Sequence, residues 1–189
     1  NAGLTAATAP VVELLNDDTV VTTGWADAVR WFADPRVAAV APLVLQHDPA
    51  RLAAGLPPLV DSAGDEYDPG GFARKRFHGR SRSAASATPS EVWGASAAAA
   101  FYRRDAVLAV GGFPVSFGAY FEDVDLAFRL RRAGYLAWFD PASVVWHRVS
   151  ASYGRRPGRR VLERQSCNEE RVFWRNTVGR DRWRRLPRH

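Results

Sequence analysis

Residues 120–134 read YFEDVDLAFRLRRAG and contain the clearest helical pattern in the chain. Three apolar side chains recur there at the three- and four-residue spacing of one helix face: Leu126, Leu130 and Ala133. Gly134 follows at once, and glycine is the preferred residue just beyond the C-terminal end of a helix. The pattern predicts a helix over 122–133 whose first turn holds several carboxylates.

Outward from this helix, strands and helices alternate. Segment 37–45 is almost continuously apolar, which is typical of a strand covered on both faces. Other strands are predicted at 11–15, 95–102, 135–139 and 143–146, the last two separated by a turn at Asp140-Pro141. Further helices are predicted at 24–32, 104–110 and 159–176. The alternation predicts an α/β fold.

Segment 46–90 interrupts this alternation. It is rich in proline, glycine, serine, aspartate and arginine, and its apolar alternation is weak, around Leu59-Val60 and Phe72. We interpret it as a long insertion with one hairpin, the kind of segment that often carries binding function.

Composition limits the class of protein. Among the 189 residues, 47% are hydrophobic and 24% are charged, which is typical of a globular domain. No run approaches the roughly 18 apolar residues that a membrane-spanning helix needs. The single cysteine, Cys167, excludes an internal disulfide and a cysteine-based zinc site, and it favours a reducing, cytoplasmic compartment. Because the chain has no methionine, we expect it to be a piece of a longer polypeptide.

Positive charge collects near the C-terminus. The net charge is +6, and Lys75 is the only lysine. Much of the excess lies at Arg155, Arg156, Arg159, Arg160 and within 180–188, interleaved with tryptophan and phenylalanine. Three interpretations stay open: a solvated basic helix, a surface that adheres to anionic membranes, and a site for single-stranded nucleic acid. Net charge alone is weak support for the last, so we expect no nucleic-acid partner.

The first chemically informative feature is Asn16-Asp17-Asp18, which follows the predicted strand at 11–15. A carboxylate in the turn after a buried strand can hold a divalent cation against a diphosphate, since Mg²⁺ and similar ions bind through one or two carboxylates plus substrate phosphates. Alternatively, these side chains only cap the turn.

The second feature is the acidic start of the predicted helix, at Glu122, Asp123 and Asp125. The positive end of the helix dipole stabilises acids there, so capping alone is one explanation. However, three carboxylates within four residues repel one another, which is more than a cap requires. Paired acids at one end of a sheet also suit general-base chemistry on a hydroxyl group.

The third feature is His147, which follows the apolar run 144–146. Neutral imidazole is a common ligand of transition-metal ions. A histidine at a strand end also serves as a plain hydrogen-bonded residue, and the residue alone does not separate the two roles.

The order of these features is more specific than any one of them. Together with further short motifs they resemble glycosyltransferase family 2, over roughly the first 150 residues. The motifs are Asn1-x-Gly3, Leu14-Leu15-Asn16-Asp17-Asp18-Thr19, Trp93-Gly94-Ala95-Ser96, Tyr102-Arg103-Arg104, Gly111-Gly112-Phe113, Glu122-Asp123-Val124-Asp125-Leu126, Arg129-Leu130, Ala133-Gly134-Tyr135 and His147.

The resemblance implies a GT-A-type fold, a mixed sheet flanked by helices, and an inverting transfer of sugar from a nucleotide-sugar donor to a glycan or lipid-linked acceptor. It also implies a Mn²⁺ or Mg²⁺ cofactor and a place at the inner face of the membrane, in the assembly of cell-envelope polysaccharide.

The resemblance further implies a role for eight residues. Asn16, Asp18 and His147 correspond to the metal site, Asp123 to the catalytic base, and Trp93, Gly94, Tyr120 and Glu122 to the substrate-binding pocket.

Two departures from the family pattern matter. Ala97, Pro114 and Gly118 differ from the residues usual there, and all three precede the acidic helix. The first nucleotide-binding strand–helix–strand unit of the family has no counterpart before Asn1. We therefore expect residues 1–150 to be the metal- and acceptor-binding part of a catalytic domain, and 151–189 to be a basic, partly helical tail. A non-catalytic remnant and, with less support, a nucleic-acid-binding module are the alternatives.

Overall fold

The computed structural model describes residues 1–68, 70–148 and 158–188. Its nine strands are β1 (Val11–Leu15), β2 (Thr19–Val21), β3 (Val37–Gln46), β4 (Val60–Ser62), β5 (Asp65–Tyr67), β6 (Ala73–Lys75), β7 (Ser90–Val92), β8 (Ala99–Arg103) and β9 (Leu136–His147). Its α-helices are α1 (Ala2–Ala6), α2 (Pro49–Ala53), α3 (Arg104–Ala109), α4 (Glu122–Arg132), α5 (Arg159–Asn176) and α6 (Gly179–Arg185). Short 3-10 helices span Trp25–Ala33, Arg82–Ala84, Val115–Phe117 and Leu186–Arg188.

Seven strands form one mixed sheet around the parallel pair β3 and β9. Strand β8 runs antiparallel to β3, and β1 runs antiparallel to β8, which gives the order β1-β8-β3-β9-β2. The short strands β4 and β7 pair with β3 and β9 respectively. The first nine residues of β3 are all buried, as its continuous apolar sequence predicts.

Helix α4 is held from two sides. Leu126 and Leu130 join the main core cluster with Phe139 of β9. On another side of the helix, Val124 packs with Phe117 and with Val172 of α5. Burial of an apolar side chain of this size stabilises the fold by about 1.5–3 kcal/mol. Because both contacts fix the same helix, its acidic first turn has a defined position relative to the sheet.

Several predicted elements are confirmed. Helices α4 and α5 and strands β1 and β3 lie where the sequence places them, to within a residue. Segment 46–90 contains one hairpin, made of β5 and β6. The helix predicted at 24–32 is a 3-10 helix.

Two strand predictions were wrong. The strand predicted from residue 95 begins only at Ala99, because 95–98 form a turn that is tied to the acidic end of α4. The two strands predicted around Asp140 are one strand, β9, whose pairing with β3 shifts after Pro42. Asp140 stays inside the sheet because its buried carboxylate accepts a hydrogen bond from Trp31 and forms an ion pair with Arg30.

Candidate active site

A cleft of about 700 Å³ opens beside the C-terminal end of β9. In open α/β sheets, ligands bind outside the carboxyl ends of the strands. The walls come from the end of β1, hairpin strand β6, the turn before β8, the loop and first turn of α4, the end of β9, and one face of α5. Its lining includes the predicted site residues Asn16, Tyr120, Glu122, Asp123 and His147.

Asp18 lies beside His147, which lines this cleft, since β2 pairs antiparallel with the end of β9. Oδ1 of Asp18 lies 3.0 Å from Nε2 of His147. That oxygen is buried, yet the approach does not meet hydrogen-bond geometry, and no described residue donates to it. An oxygen and an imidazole nitrogen placed side by side suit a divalent cation that needs both. Asn16, two residues before Asp18 in the same loop, is exposed and lines the cleft.

Asp18 and His147 form only a small set of candidate metal ligands. Across 1–68, 70–148 and 158–188, no group of three or more His, Cys, Asp or Glu side chains is arranged to hold a metal ion. Mg²⁺ and comparable cations commonly take one or two protein ligands and complete their shell with substrate phosphates and water. The residues present therefore fit a cation that binds together with a diphosphate, and do not fit an all-protein metal cage.

Asp61, which the sequence analysis did not single out, sets the orientation of His147. Oδ2 of this carboxylate lies 3.0 Å from Nδ1 of His147 and 3.1 Å from Nζ of Lys75. Because Nδ1–H donates to Asp61, Nε2 carries the free electron pair and faces Asp18. The sequence signal was slight, because Asp61 lies in a three-residue strand, 86 positions from His147.

The charge state of Asp61 follows from these contacts. Burial of this carboxylate, which is only 1% exposed, would raise its pKa. The hydrogen bonds with His147 and His78 and the nearby Lys75 ammonium outweigh burial and hold the pKa of Asp61 well below its usual range. The group is therefore a permanent anion behind His147.

The acidic pair at the start of α4 faces the cleft in two different environments. Asp123 is fixed, because its Oδ2 accepts the Ala97 N–H at 2.9 Å and its Oδ1 accepts the Val124 N–H at 2.9 Å. Burial and the negative charge of Asp123 raise the pKa of Glu122 to about 7. A carboxyl with a raised pKa, such as Glu122, can act as a hydrogen-bond donor near neutral pH.

Asp65 of β5 is a further carboxyl in the lining that the sequence analysis missed. It is only 5% exposed, and burial followed by the charge of Asp123 raises its pKa to about 8. Its backbone pairs with Gly94, where an added Cβ would lie 2.8 Å from the Cβ of Ala127. The sequence offered no periodic signal here, because the hairpin is short and lies within the irregular segment 46–90.

Of the remaining predicted substrate-binding residues, Tyr120 lines the cleft, whereas Trp93 and Gly94 do not. Tyr120 has a left-handed backbone, φ 74°, followed by Phe121 at φ 67°. The ring of Trp93 stacks on Tyr67 at 5.4 Å and lies 4.7 Å from the Arg131 guanidinium carbon. The contact of Trp93 and Gly94 with substrate stays a prediction.

Helix α5 also supplies part of the lining, through Gln165, Ser166 and Glu169. The sequence analysis predicted this helix but placed it in the basic tail. The tail arginines Arg155 and Arg156 lie outside the described residues. No helix in the described parts of the chain is long and apolar enough to cross a membrane.

The sequence matches the family described as "Glycosyl transferase family group 2" over residues 11–185. This chain is a member of that family. The resemblance inferred from the motif order is thereby confirmed, and the match extends through α5 and α6.

Part of the chain is also similar to curated relatives. A 55-residue stretch is 46% identical to N-acetylglucosaminyl-diphospho-decaprenol L-rhamnosyltransferase of two Mycobacterium tuberculosis strains, CDC 1551 / Oshkosh and ATCC 25618 / H37Rv. That stretch is 29% of this chain and 18% of the relative.

Two solved structures share the fold. GalNAc-T7, solved with UDP, GalNAc and Mn²⁺, aligns with a TM-score of 0.59 at 16% identity, over 89% of this chain and 33% of its own. The mannosyltransferase PcManGT from Pyrobaculum calidifontis, solved with GDP-Man and Mn²⁺, aligns with a TM-score of 0.53 at 22% identity, over 99% of this chain and 46% of its own. The GT-A-type fold prediction is confirmed, and the chain spans less than half the length of these relatives.

Proposed function

We propose that the protein containing this chain is an inverting, metal-dependent glycosyltransferase that uses a nucleotide-sugar donor. The observation that carries the proposal is a single cleft whose lining holds His147, paired with Asp18, and the fixed carboxyl group of Asp123. The Asp18–His147 pair suits a cation bound to the diphosphate of a donor, and Asp123 suits a hydroxyl group of an acceptor.

In this mechanism Asp123 is the general base. Its carboxylate accepts the proton of the acceptor hydroxyl while that oxygen forms a bond to the anomeric carbon of the donor sugar. The bond from the anomeric carbon to the diphosphate breaks at the same centre, and the nucleoside diphosphate leaves with the electron pair. One displacement inverts the configuration. The Ala97 N–H holds Asp123 in place without supplying a proton of its own to the reaction.

Asp18 and His147 would hold the cation, Mn²⁺ or Mg²⁺, with Asn16 at the adjacent edge of the cleft. When bound, such an ion stabilises the negative charge that develops on the leaving diphosphate. Glu122, with its raised pKa, carries a proton at or below neutral pH and donates a hydrogen bond to an acceptor oxygen. We assign Tyr120 and Glu122, which both line the cleft, to its acceptor side.

The acceptor we propose is a glycan or a lipid-linked sugar. The support is the name of the mycobacterial relative, a rhamnosyltransferase acting on N-acetylglucosaminyl-diphospho-decaprenol, together with the basic C-terminal segment. Residues 158–188 contain ten arginines against four acids. Trp183 is 72% exposed and Trp174 is 46% exposed in the same segment. Arginine with exposed tryptophan suits peripheral contact with an anionic membrane surface, where lipid-linked acceptors reside.

The test uses the full-length protein that contains this chain. Release of nucleoside diphosphate from UDP-, GDP- and dTDP-sugars is measured with and without Mn²⁺, for the wild type and for Asp18→Ala and Asp123→Asn. Asp17→Ala is the matched control, because Asp17 is an exposed carboxylate next to Asp18, and it is Asp18 that lies against His147.

We expect metal-dependent turnover that falls about 100-fold or more in both variants, the scale of removing a general base, and that persists in the control. Wild-type turnover that Asp123→Asn leaves intact would exclude Asp123 as the base. A folded wild type that binds Mn²⁺ but turns over none of the donors would instead identify a non-catalytic remnant.

A further inference from the structure

The loop before α4 has an unusual backbone for the residues it contains. Tyr120 and Phe121 both adopt left-handed φ values, of 74° and 67°, although neither is glycine. Such conformations cost on the order of 1–3 kcal/mol each and persist only where the surroundings enforce them. The two residues directly precede Glu122 and Asp123, so this turn determines where both carboxyls lie. We call residues 117–121 the acid-positioning turn.

One buried side chain of α5 holds this turn. The amide nitrogen of Asn168 lies 2.9 Å from each of the backbone carbonyl oxygens of Phe117, Ala119 and Tyr120. Its two hydrogens are therefore shared among three acceptors. Asn168 is only 1% exposed, so water does not compete for these bonds.

Neighbouring contacts support the same connection. Arg171, one turn further along α5, donates to the carbonyl oxygen of Ser116 at 2.7 Å and to Oδ1 of Asn168 at 3.1 Å. The second bond fixes the amide so that its nitrogen faces the turn. On the cleft side, α5 presents Gln165, Ser166 and Glu169 to the same cavity as Asp123. Helix α5 is thus both a wall of the cleft and the support of its acidic turn.

We infer that Asn168 is a positioning residue for the transfer reaction, acting through the acid-positioning turn on Glu122 and Asp123. This inference rests on the proposed function for its kinetic consequence, but its structural consequence is measurable without turnover. Loss of the three hydrogen bonds lets Tyr120 and Phe121 relax toward ordinary φ values, which displaces the first turn of α4. A shift of about 1 Å in a reacting group lowers the rate of a step on the order of 100-fold.

The test compares Asn168→Ala and Asn168→Asp with wild type in the full-length protein. The aspartate variant keeps the size of the side chain but replaces the donor by an acceptor, which the three carbonyls repel. Cys167→Ala is the matched control, because Cys167 is the neighbour of Asn168 on α5 and its side chain is exposed.

Hydrogen–deuterium exchange is read on peptides covering 116–124, and urea unfolding verifies that each variant is folded. We expect faster exchange of 116–124 in both Asn168 variants and not in the control. We also expect kcat to fall about 10- to 100-fold, with Mn²⁺ affinity and donor KM within threefold of wild type, because the Asp18–His147 pair lies on other elements.

Unchanged exchange of 116–124 in folded Asn168→Ala protein would overturn the inference. So would faster exchange with unaltered kcat. A wild type that shows no turnover would contradict the proposed function, and the exchange data alone would then decide the role of Asn168 in fixing the turn.

Discussion

Replacing Asp61 by asparagine tests the arrangement behind His147. The carboxylate is 1% exposed and accepts from both Nδ1 of His147 and Nζ of Lys75. Asparagine fills the same space but carries no charge, so the imidazole loses the anion that fixes its orientation. Removing the carboxylate partner of a metal-binding histidine typically weakens metal binding about 10- to 100-fold. That corresponds to about 1.4–2.8 kcal/mol.

Stability changes for a separate reason. The substitution leaves the Lys75 ammonium without its counter-charge, and breaking a buried ion pair costs about 3–5 kcal/mol. The Lys75 side chain is 36% exposed, so water offsets part of that cost and we expect a loss of about 1–3 kcal/mol. In the double variant Asp61→Asn/Lys75→Met the unpaired ammonium is gone, so the free energy of unfolding should recover while metal affinity should not.

The assay is Mn²⁺ binding followed by the electron paramagnetic resonance of the free ion, with UDP present and absent, on protein whose folding is verified by urea titration. Asp105→Asn is the control, since that carboxylate is exposed and distant in the sequence. If folded Asp61→Asn protein bound Mn²⁺ as tightly as wild type, the reasoning that connects Asp61 to the metal site through His147 would be refuted. Recovery of metal affinity in the double variant would refute it too.

Three further predictions concern stability, each measured by urea unfolding. Burial raises the pKa of Asp65 to about 8, so between about pH 4 and pH 8 the folded state keeps a proton that the unfolded state loses, and the free energy of unfolding falls as pH rises. Asp65→Asn should make this fall with pH shallower. An equal dependence of the unfolding free energy on pH in both proteins would contradict the prediction. Leu126→Ala, at a fully buried position, should lower the free energy of unfolding by about 2–5 kcal/mol. The control Leu162→Ala, on the exposed face of α5, should change it by less than about 0.5 kcal/mol. Similar losses in the two variants would contradict the described packing of α4 against the core. Gly94→Ala should destabilise the protein, because the added Cβ would lie 2.8 Å from the Cβ of Ala127 in α4. Gly3→Ala is the control, since a Cβ there meets nothing within 4 Å. An unchanged free energy of unfolding in Gly94→Ala would show that the backbone at Gly94 moves away from α4 at little cost.

The candidate site was only partly predictable from the sequence. Asp18, Asp123 and His147 each follow a recognisable local pattern, a strand end or a helix start, and the motif order placed them in one family. Asp61 and Asp65 have no such pattern, because each lies in a strand of three residues inside an irregular segment. Asn168 resembles any polar residue of a basic helix until its three carbonyl partners, 48 to 51 positions away, are known.

Local sequence patterns determined the helix at 122–132 and the buried strand from residue 37, because each pattern depends only on neighbours within a few residues. Tertiary structure decided the remainder. It kept Asp140 inside β9 through Trp31 and Arg30, and it brought Asp61 against His147. It also seated α5 on the turn before Glu122 and Asp123. The physical reason is the same in each case: a buried polar group takes its role from the partner that satisfies it, and strand pairing and helix packing choose that partner from distant parts of the chain.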